Sequence, residues 1–116
     1  METQFFVVHW QKGKQWDENK PIEEQASIGE HLAFLKSMAD EGITIISGLT
    51  KEDVGGIGVL QFKDKNTAKS HISKDPCIQN QVMSFEIIPF NPIDWSRKIS
   101  KGVSFISKNL RITENN

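Results

Sequence analysis

The sequence predicts an α+β domain: one antiparallel sheet with two helices on one of its faces. Three observations predict it. Four short runs rich in aromatic and β-branched residues, at 4–10, 43–49, 57–62 and 81–90, read as strands. Two stretches with helical spacing or capping chemistry follow the first and third of these runs. Glycines and prolines punctuate the boundaries, at Gly42, Gly55-Gly56, Pro76, Pro89 and Pro92.

Each element follows from its residues. Along 4–10, Phe5, Val7 and His9 fall on one face and Phe6, Val8 and Trp10 on the other. Both faces are largely apolar, so both are expected to be covered. The polar stretch 11–25, with Trp16 isolated among charges, reads as a loop. Ser27 and Glu30 have the spacing of a capping box and open the first helix. Ile28, Leu32, Leu35 and Ala39 recur at helical spacing and predict its buried seam. Gly42 supplies a residue that commonly ends a helix in the left-handed conformation. The runs at 43–49 and 57–62, joined through Asp53, Gly55 and Gly56, form a hairpin. Asp64 is placed to cap a second helix reaching about Lys74, and Pro76 ends it by forcing the residue before it out of helical geometry. The last strand, 81–90, stops at Pro89 and Pro92.

The resulting order, βαββαβ, is the ferredoxin-like arrangement. The helices cover one sheet face and leave the other apolar, which predicts a homodimer with two sheets packed face to face. Residues 1–92 form this domain and 93–116 a C-terminal extension, basic through Arg97, Lys98, Lys101, Lys108 and Arg111. The extension reads either as a surface tail or as an arm across the dimer, around the apolar patch Val103, Phe105 and Ile106.

Composition excludes several classes. The 116 residues fit one domain with its own core. Fourteen basic against fifteen acidic residues, net charge −1, give no field for a nucleic-acid backbone. The single cysteine, Cys77, excludes a disulfide framework and a thiolate zinc cluster and fits a reducing, cytoplasmic setting. Neither a signal-peptide pattern nor an apolar run long enough for a membrane span is visible. Gly56-Ile57-Gly58-Val59-Leu60-Gln61-Phe62 has the look of an RNA-binding strand, but Ile57 and Val59 stand where base-stacking aromatics are needed. No glycine loop leads into a helix to hold a phosphate, so no cofactor is expected. His9, His31 and His71 have no metal-ligand spacing, and no metal is expected.

One pair of residues stands out. His31 lies about 60° round the first helix from the seam centre, on the edge of the buried face. An imidazole exchanges protons near neutral pH. Asp75, held extended by Pro76, can meet it if both helices share a sheet face, and would then orient the ring and stabilise its protonated form. Two readings of the pair stand at this point: a proton-transfer dyad, or a helix-capping aspartate beside a packed histidine. His9, Ser47 and Ser84 are candidates for touching a small-molecule substrate. Glu86 is a charge in an apolar strand, His71 reads as a packing residue, and Cys77 as a buried structural thiol.

His31-Leu32, Asp40-Glu41-Gly42, Gly48, Asp75-Pro76 and Pro89-Phe90, in this order, resemble the YciI-like (YCII-related) family over residues 4–90. The resemblance implies a dimeric α+β barrel with a cleft holding a histidine–aspartate pair, here His31 and Asp75, for acid/base chemistry. Some relatives act as dehydrochlorinase-type or isomerase-like enzymes on ring compounds. The implied activity is a cofactor-free lyase- or isomerase-type proton transfer on a small organic molecule. The alternative is a non-catalytic dimer that binds a small ligand or a protein partner. Two departures matter. Ile28 stands where an arginine is frequent, and Gly48-Leu49 where Gly-Pro is frequent. The first removes an anion-binding group.

Overall fold

The computed structural model describes residues 3–51, 55–94 and 96. The expectations for Asp53 and for the basic tail from Arg97 onward therefore fall outside the described residues. Strands β1 (Gln4–Lys12), β2 (Thr44–Leu49), β3 (Gly56–Phe62) and β4 (Met83–Phe90) form one antiparallel sheet in the order β2-β3-β1-β4. Helix α1 (Ile28–Asp40) links β1 to β2, while α2 (Lys65–Ile72) and α3 (Pro76–Gln79) link β3 to β4. This is the expected ferredoxin-like α+β fold.

Strand alternation divides the sheet into two faces. Phe6, Val8 and Trp10 of β1 are buried with Leu60 of β3 and Ile87 of β4. They pack against Met38 of α1, Ala68 and Ile72 of α2 and Cys77 of α3. The opposite face carries Val7, Ile46, Ile57, Val59, Ile88 and Phe90, which register pairing aligns in rows. Ile46, Ile57, Ile88 and Phe90 on that face are exposed, while Phe5 at its far end is buried.

The first helix departs from expectation in two respects. Its buried side is centred on His31 and Met38, flanked by half-buried Phe34 and Leu35. Leu32 is 56% exposed and Ala39 is exposed, so the expected Ile28–Leu32–Leu35–Ala39 seam is rotated by about one residue, near 100°. The reason is tertiary: Asp75 lies behind the helix and draws His31 inward, and a cavity opens beside Ile28 and Leu32. The expected capping box does not form. Ser27 has φ 66°, and its side chain makes no cap hydrogen bond. Its hydroxyl instead accepts from Asn80 Nδ2 at 2.7 Å, joining α1 to the end of α3.

The other end of α1 closes as its glycine foretells. Gly42 has φ 80°, its N–H donates to Ala39 O and the Ile43 N–H donates to Met38 O, both near 3 Å. These two bonds are a Schellman motif. Asp64 caps α2 by accepting from Thr67 N at 2.7 Å. The second helical segment does not run on to Lys74. It ends at Ile72, and Asp75-Pro76 opens α3 rather than closing a helix. Proline fits there because the first helical N–H needs no partner. Gln81 has φ 62°, so β4 starts at Met83 instead of 81. In the 11–25 stretch, buried Gln25 accepts from Asp17 N and donates to Asp17 O and Lys20 O, which organises the loop around one amide.

Candidate functional site

The site begins where α1 crosses the sheet. Ser27 in its left-handed conformation starts the helix, so His31 falls one turn in and points at the α2–α3 junction. At that junction Asp75 has φ −58° and ψ 126°, the extended geometry imposed by the following proline. Its carboxylate turns inward. His31 Nδ1–H donates to Asp75 Oδ2 at 2.6 Å, and Cys77 N–H donates to Asp75 Oδ1 at 2.9 Å. The His31 side chain is 6% exposed and that of Asp75 0%. Both carboxylate oxygens are thus satisfied, as a buried acid requires. Asp75 thus caps α3 and also accepts from the imidazole, a geometry common to both readings left open by the sequence.

The ring is held from a second side. Trp10 meets it edge-on, with centroids 6.1 Å apart and planes 71° apart. Asp75 as acceptor assigns the proton of neutral His31 to Nδ1, which leaves the Nε2 lone pair for chemistry. His31 lines a cavity of about 390 Å³. That volume is within the range of about 300–1,000 Å³ typical of small-molecule sites. Its walls come from α1 (Ile28, Leu32, Leu35), from the β2–β3 edge (Ser47, Leu49) and from Met83. A register shift between Thr44 and Ile46 marks a bulge in β2. Beyond it Ser47 and Leu49 share the helix-side face of the sheet and reach the cavity.

Among the other candidates, Ser47 lines this cavity, whereas His9 and Ser84 do not. His9 sits on the open sheet face, where its Nδ1 accepts from Gln11 Nε2 at 3.2 Å. Ser84 donates its hydroxyl to Lys12 O at 3.0 Å and lies on the same open face. Strand parity explains both: each alternates with a cavity-side neighbour, Trp10 or Met83. Glu86 pairs across from His9 and points to solvent. His71 packs between the rings of Phe34 and Phe62, each 5.5 Å away.

Residues missed by the sequence reading include Trp10, Leu49 and Met83. Their only signal was membership of apolar strands, which does not separate a cavity wall from a core.

Cys77 is buried beside the pair, and the ligating atoms of His31, Asp75 and Cys77 lie within 4.8 Å of one another. The trio does not fit a metal. Tetrahedral ligands about 2.0–2.1 Å from zinc are separated by about 3.3 Å, whereas the His31 and Asp75 atoms are in direct hydrogen bond at 2.6 Å. Burial pushes the Cys77 thiol up to about 12, and the carboxylates of Asp75 and Glu30 add to this. The group stays a thiol and donates to Ser27 O at 3.4 Å. It acts as a fastener between α3 and the start of α1.

Residues 5–91 match the YCII-related domain, and the chain belongs to that family. No curated protein matches it.

Proposed function

We propose that this YCII-related protein is an acid/base enzyme that moves a proton on a small organic molecule, with His31 as the base and acid and Asp75 as the residue that positions it. One observation carries the reading: a buried imidazole bound at 2.6 Å to a fully buried carboxylate on the wall of a cavity large enough for a ligand. Such a carboxylate fixes the tautomer and supports the imidazolium that forms when Nε2 takes a proton. A carbon acid beside a carbonyl is the natural donor. Its electron pair then either accepts the proton back at another carbon, an isomerisation, or expels a leaving group, an elimination. Neither step calls for a cofactor. Ser47 lines the same cavity, which supports it as the substrate's hydrogen-bonding partner in this reading.

The working unit in this proposal is a cytoplasmic homodimer in which a second copy covers the open sheet face. Exposed Ile46, Ile57, Ile88 and Phe90 support it, because a monomer seldom leaves such a row wet. A non-catalytic ligand-binding or protein-interaction dimer shares the cavity and the open face and differs only in doing no chemistry. No described helix is long and apolar enough to cross a membrane.

The test is ¹⁵N NMR of the histidine rings followed by an exchange assay. The expected spectrum at high pH has His31 protonated at Nδ1 and bare at Nε2, and Asp75→Asn alters that signature. Small ketones and lactones are then followed for deuterium uptake in D₂O, with His31→Gln expected to abolish it. Uptake by His31→Gln at the wild-type rate would remove the catalytic reading and leave the binding module.

A further inference from the structure

We infer that the His31 cavity takes an uncharged, mainly apolar molecule of about two fused rings and discriminates against carboxylates. The inference deepens the proposal above, since it rests on reading the cavity as a ligand site.

Size comes first. A cavity of about 150 Å³ admits benzene, and this one has about 390 Å³. Polarity comes second. The apolar side chains of the wall include Ile28, Leu32, Leu35, Leu49 and Met83, and Leu49 is 68% exposed. Exposed aliphatic groups around a concave site favour an apolar occupant, whose burial removes both surfaces from water. His31 and Ser47 supply the few neutral hydrogen-bonding side chains of the lining. A single neutral carbonyl or hydroxyl oxygen is the polar group that such a wall tolerates.

Charge decides the rest. Among the described residues, no lysine or arginine lines the cavity. His31 and Asp75 together carry zero charge when the imidazole is protonated and −1 when it is neutral, so the pair presents no net positive charge in either state. Glu23 on the rim adds another negative group. The adjoining groove holds Lys12, Lys20, Glu18 and Glu23, two of each sign, and Lys12 is already paired with Glu18 at 2.9 Å. An anion entering the cavity would lose its hydration with no cation to replace it. Ile28, half-buried on the wall, is the position at which one side chain would change this.

The experiment compares two probes with one skeleton, 2-acetylnaphthalene and 2-naphthoate, binding to the full chain at pH 7.5 by ligand-observed NMR. The expected result is that the ketone binds at least tenfold more tightly. Ile28→Arg, checked for folding by circular dichroism, is expected to raise naphthoate affinity at least tenfold. Equal or tighter binding of naphthoate by the wild type overturns the inference, and so does failure of both probes to bind; the wild-type pair decides even if the variant misfolds. The catalytic reading is separated by the methyl protons of the bound ketone. Binding without deuterium uptake leaves the ligand class standing and counts against proton transfer, whereas uptake lost in His31→Gln supports both.

Discussion

Alternate residues of β1 meet two different environments. Phe6, Val8 and Trp10 are sealed beneath the helices, while Val7 and His9 look out over a face on which Ile46 is 61% exposed. The two sets are equally strand-forming and nearly equally apolar. What separates them is what the chain lays over them. On the helix side, the crossovers bring Met38, Ile72, the cavity and the His31–Asp75 pair. On the other side the rows of Val7, Val59 and Ile88 are aligned by register. The comparison teaches that apolar content predicts a need for cover, and topology decides which face is covered from within the chain.

The sharpest way to break this contrast is truncation of the core. Phe6→Ala is expected to cost about 3–5 kcal/mol in urea unfolding, through lost transfer energy and the cavity left behind. Asp75→Ala comes next at about 3 kcal/mol, because it strips the α3 cap and leaves the buried imidazole and the Cys77 N–H without their acceptor. If its unfolding midpoint matches that of the wild type, the pair does not tie α1 to α3. Ile88→Asp on the open face should change monomer stability by no more than about 0.5 kcal/mol. In sedimentation it is expected to convert a dimer to a monomer. A loss comparable to that of Phe6→Ala in monomeric protein would show that the two faces are not different after all.

The smallest effect sharpens the comparison by pH. Burial lowers the affinity of the His71 imidazole for protons below its ordinary 6.5, with the Lys74 ammonium adding to this and Glu41 opposing. Just below pH 6.5 the unfolded chain then binds more protons than the folded one. Stability therefore falls as pH drops through that window and levels off below the folded-state value. His71→Phe is expected to flatten the slope of melting temperature against pH between 7 and 5. An unchanged slope would assign the acid sensitivity elsewhere.

Much of the fold was legible because it rests on local chemistry. Gly42 ended α1, Asp64 capped α2, and the alternation in β1 assigned its two faces correctly. The misreadings share one cause. The Ser27–Glu30 spacing suits a capping box, but Asn80, fifty-three residues on, occupies the Ser27 hydroxyl. The Ile28–Leu32 seam suits a core, but the space beside it is a cavity. Asp75-Pro76 reads equally as a helix stop and a helix start, and only the backbone after it distinguishes them. His9 and Ser84 were nominated by residue type, while strand parity put them on the face away from His31.

By itself the sequence determined the order of elements, the two apolar sheet faces, the lack of charge bias and the residue types able to exchange a proton. These are properties of periodicity, backbone restriction and composition, which act over a few residues. Only the tertiary structure decided that His31 turns to the centre of the buried face and that Asp75 serves cap and imidazole at once. It also decided that Ile28 and Leu32 border open volume instead of core. Those outcomes depend on groups about fifty residues apart competing for the same hydrogen bonds and the same space, and no local pattern encodes which of them wins.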